Sequence, residues 1–382
     1  MAFFNWATCE IVMTNAAGAY HGTKADLANI PHDPSATMSF AHEYVHFLQL
    51  IGSLSGFHLL GELVDLAIKG VLLLSGHTEG ETLTTCYPIL PLLRAQPTGA
   101  GKGSVVGPRV QYLRDQAEVL FGAGDYAYTG ASAPWQLVQQ VVTVRSYTDR
   151  FVGIVTPRHT FRPITPGMLA EGMARRIDQW LKSNMGFAGH DWGHSNTEDE
   201  YYNGIRSIVA QAQYEHNVAP QIVDRLTVVI CRLALASDRP DFATAVMLGR
   251  LMENVAAGGL VKTIAIILQE LLRRDDVRLL RTKSFNDVME DLQHGTARVM
   301  DREEFHAIYE QLKKIHRAGN LVFAHPEYFA DEQIDWGQIR DWMMQFTVPA
   351  VIAADGEVPA IDGIPCSSAV TELLREIARV FL

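Results

Sequence analysis

The chain has 382 residues, of which 48% are apolar and 20% charged, and it carries a formal net charge of −11 at pH 7. So much apolar mass with so little charge excludes general disorder, and the scattered Gly and Pro exclude collagen-like and low-complexity classes. The acidic balance argues against a nucleic-acid partner, which would need a basic face to neutralise phosphates.

The length suits one large domain or two. Cys9, Cys86, Cys231 and Cys366 lie far apart and form no CxxC pair, so reduced thiols are expected rather than a disulfide framework. The opening segment MAFFNWATCEIVMTN has no basic stretch followed by an apolar one, as a secretory signal would. The most apolar run, 67–75, contains Lys69 and is too short to span a bilayer. The expectation is a soluble, cytoplasmic protein with no membrane partner.

Taken in chain order, residues 8–22 alternate in part and predict a strand or hairpin. Asn29 to Ser35, with two prolines and an aspartate, predicts a turn. A helix then starts near Ser35–Ser39, carries an apolar face of Phe40, Tyr44, Phe47, Leu48 and Ile51, and ends near Gly52. A second helix is expected over 56–74. Residues 97–108 read as a loop, since GAGKGS lacks the GxxxxGK[ST] spacing of a phosphate-binding loop. Residues 136–147 fit helix or strand equally, and 151–156 reads as a strand. Pro166 opens a helix over 167–181. Residues 183–198 read as a loop and 199–217 as a helix. Beyond 219 the pattern is helical, over 219–236, 240–257, 260–274, 284–293, 302–318 and 335–346. Residues 350–365 read as irregular, and a short helix over 367–380 follows.

One segment carries recognisable chemistry: Ala41-His42-Glu43-Tyr44-Val45-His46-Phe47-Leu48-Gln49, which contains HExxH. On a helix, His42 and His46 share one face a turn apart and can bind one Zn²⁺. Glu43 sits at the edge of that face, where it can take a proton from a water activated by the metal as that water attacks a carbonyl. At this histidine and glutamate content, roughly 0.03 such matches are expected by chance, so the motif is informative. The bland alternative is a pair of surface histidines. Two imidazoles do not complete a catalytic zinc site, which usually has three protein ligands. Gln49 and Gly52 stand where the HExxHxxGxxH pattern needs Gly and His, so that class is rejected.

The third ligand is suggested by Leu169-Ala170-Glu171-Gly172-Met173-Ala174-Arg175. This segment resembles the EGxA helix that supplies a glutamate ligand in gluzincin metallopeptidases. Its small residues would let that helix approach the first. Alternatively, Glu171 pairs with Arg175 at i,i+4 on a solvated face. The resemblance covers two helices, around 38–51 and 167–181. It implies a zinc metallopeptidase with His42, His46 and Glu171 as ligands, Glu43 as general base and a peptide or protein substrate. The implied fold is mainly α with a small β-sheet. A zincin-like catalytic region would occupy 1–218, with a long insert at about 53–160, and a helical C-terminal region would occupy 219–382.

Several residues could support such a site. Tyr201 and Tyr202 are first choices as oxyanion donors and His216 the next. His190 and His194 could be a third ligand, a contact behind the ligands or a loop rim. Asp178, Glu198 and Asp199 could orient a ligand imidazole through its free N–H, though nothing in their spacing selects one and surface charge is the simpler role for each. A substrate could pair with an edge strand at Ile11–Thr14 or Phe151–Thr156. Two further functions fit the same residues: a catalytically silent zincin-fold binding or scaffold protein, against which an intact Glu43 argues, and a non-peptide zinc hydrolase.

Overall fold

The computed structural model describes residues 2–5, 10–13, 23–28, 30, 33–53, 125–144, 147–187, 203–211, 220–235, 240–254, 303, 310, 334–346 and 348–366. Helix predominates among them, at 58%, beside several small sheets. The helices expected over 56–74, 260–274, 284–293 and 367–380 and the loop at 97–108 lie outside the described residues, as does most of 302–318.

The helix carrying HExxH, α2 (Pro34–Gly52), follows the short α1 (Lys24–Ala28). The turn residues ahead of it do more than end what precedes. The Asp33 side chain accepts from the Ser35 and Ala36 N–H groups at 2.9 and 3.2 Å, and Pro34 occupies the first turn, where no N–H is needed. At the other end, the Ser53 N–H and Oγ both donate to the Gln49 carbonyl. From Ala36 to Gly52 every residue except His42 is buried, as expected of a helix that is apolar almost all round. Phe40 stacks on Tyr44 with centroids 5.7 Å apart and meets Trp336 at 6.1 Å. Burying each side chain of this size contributes roughly 1.5–3 kcal/mol.

The first sheet has the order β1 (Ala2–Asn5), β2 (Glu10–Met13), β7 (Ala350–Ala353), β8 (Gly356–Val358). β2 runs antiparallel to β1 and parallel to β7, with Ile11 opposite Val351. α2 packs on β1 and β2. The second sheet, order β3 (Tyr126–Ala127), β6 (Thr160–Pro163), β5 (Tyr147–Val155), β4 (Leu137–Val144), is antiparallel throughout. A small pair, β9 (Ala360–Ile361) and β10 (Ile364–Pro365), completes the strands among the described residues.

Among the described residues, α3 (Pro166–Asn184) is followed by α4 (Pro220–Leu235), α5 (Pro240–Asn254) and α6 (Trp336–Phe346); residues 203–211 are also helical. α3 packs on α2 and on α4, α4 on α5, and α5 on β5. The Thr165 hydroxyl accepts from the Met168 N–H, Pro166 fills the first turn, and Gly186 at φ +70° turns the chain away after the last. One apolar core joins residues from Ile11 to Ile361, and a smaller cluster, built on Val142 and Phe161, lies at the second sheet. Among the described residues no helix is long and apolar enough to cross a membrane.

Three sequence expectations change here. Within the segment 136–147, Leu137–Val144 is strand, because β4 pairs along its whole length with β5. The segment 350–365 is not irregular. Ala350–Ala353 finds its parallel partner in β2, more than three hundred positions away, and glycines at positive φ, Gly356 and Gly363, let the short strands turn. Neither Glu10–Met13 nor Tyr147–Val155 is an edge: each has a neighbour on both sides, so their backbone groups are already engaged.

Replacing Asp33 by Ala removes the side-chain cap of α2. A loss of about 1 kcal/mol is expected in urea unfolding; a stability equal to wild type would show that the cap carries nothing.

Candidate metal centre

α2 and α3 run antiparallel past each other. Gln49 of α2 meets the backbone of Ala170, and His42, two turns earlier, meets Asp178, two turns later. Between these contacts lie His42, His46 and Glu171, whose ligand atoms all fall within 4.8 Å of one another. The two Nε2 atoms are 3.1 Å apart; Glu171 Oε2 is 3.2 Å from His42 Nε2 and Oε1 is 3.3 Å from His46 Nε2. Two atoms bound to one ion at about 2.0–2.1 Å and at the tetrahedral angle are about 3.3–3.4 Å apart. The observed separations match that edge within a few tenths of an ångström. Glu171 therefore turns to the imidazoles and not to Arg175.

The hydrogen bonds behind the imidazoles set which nitrogen faces inward. The Ala170 carbonyl can only accept, so the Gln49 amide nitrogen faces it at 3.0 Å and Gln49 Oε1 faces His46 Nδ1 at 2.8 Å. His46 Nδ1 therefore carries the proton and donates it to Gln49. His42 Nδ1 donates to Asp178 Oδ2 at 2.7 Å. In the neutral rings both Nε2 lone pairs then point at the Glu171 carboxylate, which is itself acceptor-only. Such a convergence of acceptors repels itself unless a cation lies among them. The donor set and its spacing fit a divalent metal ion.

Without metal, protons do that work. Burial is the largest influence on His42 and disfavours its charge, but the Asp178 carboxylate, with Glu171 and Glu43, outweighs it and holds the ring well above its ordinary 6.5. Burial also acts first on His46, and Glu171 outweighs it, raising that imidazole too. Burial would raise Glu171, yet the two imidazoles hold its carboxyl well below the usual carboxylate range. Glu43, 7% exposed, lies near enough for its charge to act on both rings.

Asp178 is a correction to its expected surface role. It is 2% exposed and positions His42. Its signal in the sequence is the seven-residue spacing from Glu171, which puts both on one stripe of α3. Gln49, which in the sequence only breaks a longer motif, is a ring partner, and its place three after His46 is the signal for that. Tyr201, Tyr202, His190, His194, His216, Glu198 and Asp199 lie outside the described residues. No protein-family model matches the chain, no curated protein matches its sequence and no solved structure matches its fold.

Two outcomes follow from the paired rings. A metal ion must displace protons from His42 and His46, so its apparent affinity should rise with pH through their raised values. The metal-free protein should behave oppositely. Stability contributed by the charged imidazoles is fully present below 6.5 and is lost as pH climbs through their folded values, while that from Glu171 is lost as pH falls below the ordinary carboxylate range. Thermal melts with and without chelator from about pH 6 to 8.5 would show the two trends; parallel curves would count against the cluster. Asp178→Ala or Gln49→Ala should weaken metal binding roughly 10- to 100-fold in a chelator competition, and unchanged affinity would remove their positioning role.

Proposed function

We propose that this chain is a zinc-dependent metallopeptidase of the gluzincin type, with His42, His46 and Glu171 holding the ion and Glu43 acting as general base. The observation that carries this reading is the convergence of two lone pairs and one carboxylate, each ring locked from behind by Gln49 or Asp178. Two imidazoles and a carboxylate at tetrahedral spacing suit Zn²⁺, with a fourth position left for a water or substrate oxygen.

A zinc ion held there would serve as a Lewis acid that acidifies a water and polarises a carbonyl oxygen. The chain's own groups supply the rest. Glu43 is adjacent to His42 in sequence and about 100° round the helix from it, so its carboxylate flanks the ligands without displacing one. Its burial and its closeness to both rings suit a group that takes a proton from the attacking water and returns it to the leaving amine. Asp178 and Gln49 hold the rings still while charge develops. His42 and Glu171 retain 16% and 23% exposure, which leaves an approach for a substrate.

Glu43→Gln keeps the shape of the side chain and removes its basicity. It should bind one zinc per chain as wild type does and lose peptide hydrolysis by roughly 10²- to 10⁴-fold. Wild type that binds zinc but cleaves nothing in a mixed peptide library would overturn the peptidase reading.

A further inference from the structure

Few side chains reach solvent from the seam between α2 and α3. From Ala36 to Gly52 only His42 does, and from Met168 to Asp178 only Glu171 and Arg175 do. Two of these three belong to the metal cluster. The third is a cation. Arg175 follows Glu171 by four residues and precedes Asp178 by three, so the three share one stripe of the helix. Either spacing would ordinarily give an arginine a carboxylate partner. Here both carboxylates are turned to imidazoles instead. Arg175 Nε is buried with no hydrogen-bond partner, and among the described residues no ion pair engages its guanidinium. A half-buried guanidinium without a counter-charge is costly, and its planar fork of donors matches a carboxylate.

The spacing also limits what would meet it. Four helical residues rise about 6 Å, and one or two residues of extended peptide span about 3.5–7 Å. An anionic group one or two residues from a bond held at the metal would lie beside Arg175. We propose that Arg175 recognises a substrate carboxylate at the mouth of the His42, His46 and Glu171 centre, within two residues of the scissile bond. This rests on the hydrolase reading above and narrows its substrate class. Arg175 is a positioning residue in this scheme, and the carboxylate is a chain terminus or an acidic side chain.

The zinc-loaded Glu43→Gln protein separates binding from turnover. Three probes are titrated into it calorimetrically: acetyl-tri-alanine as the free acid, the same peptide as its amide, and an amide whose last residue is aspartate. At least one carboxylate peptide should bind on the order of 10- to 100-fold tighter than the plain amide, and which one does so identifies the source of the charge. Adding Arg175→Gln should erase that preference at unchanged zinc stoichiometry, and Arg175→Lys should restore part of it. Equal binding of the three peptides, no binding of any, or a preference that survives Arg175→Gln would overturn the assignment. Turnover by wild type is read separately. A carboxylate preference without hydrolysis of any peptide would sink the peptidase reading and leave Arg175 as the anion site.

Discussion

The site depends on a clamp between two antiparallel helices. Gln49 reaches from α2 to the Ala170 carbonyl, and Asp178 reaches from α3 to His42. Each contact does two things at once. It ties one helix to the other, and it fixes the proton of one imidazole on the outer nitrogen, so that the inner nitrogen presents a lone pair. Packing and coordination chemistry are therefore the same interaction seen from two sides. Removing Gln49 would take the acceptor from the buried His46 Nδ1–H, at about 1–3 kcal/mol for an unsatisfied group, while the Ala170 carbonyl keeps its partner within the helix.

α2 shows why the arrangement tolerates so much buried polarity. Ser39, His42, Glu43, His46, Gln49 and Ser53 form a single polar stripe along a helix whose other faces are apolar but for Thr37, which donates to the Ile30 carbonyl. Apart from His42 the stripe is buried. The apolar faces bind α2 to the first sheet and to Trp336, and that burial offsets the desolvation of the stripe. The stripe in turn meets the face of α3 that bears Glu171 and Asp178. Ala170 and Ala174, one turn apart on α3, are buried, and the small side chain of Ala170 leaves its carbonyl within hydrogen-bond reach of Gln49.

Electrostatics gives the centre its handedness toward cations. Asp178, Glu171 and Glu43 all raise the basicity of His42, and the low-dielectric surroundings strengthen each of these influences. Protons and a divalent ion would therefore compete for the same atoms of the cluster. Arg175 is the exception in this acidic neighbourhood, a cation at the opening whose nearest carboxylates in sequence are committed elsewhere. Its role differs from that of the buried groups, because a ligand arriving from solvent meets it together with His42 and Glu171.

What the sequence determined by itself was local. The i,i+4 histidines, the adjacent glutamate and the proline at the start of α3 are all properties of short segments, whereas the capping of α2 by Asp33 emerged only in the structure. Helical spacing converts them directly into a face or a boundary. That Glu171 lies near those histidines could be anticipated only through the likeness of its segment to a known ligand helix, and its orientation could not. Tertiary structure decided the rest. The choice of Asp178 as ring partner, the turning of Glu171 from Arg175 to the imidazoles, and the strand nature of 350–353 all depend on contacts between residues far apart in the chain. Spacing along a helix says which side chains share a face. Only the packing of a second element on that face says which of them are given a partner and which, like Arg175, are left open to one.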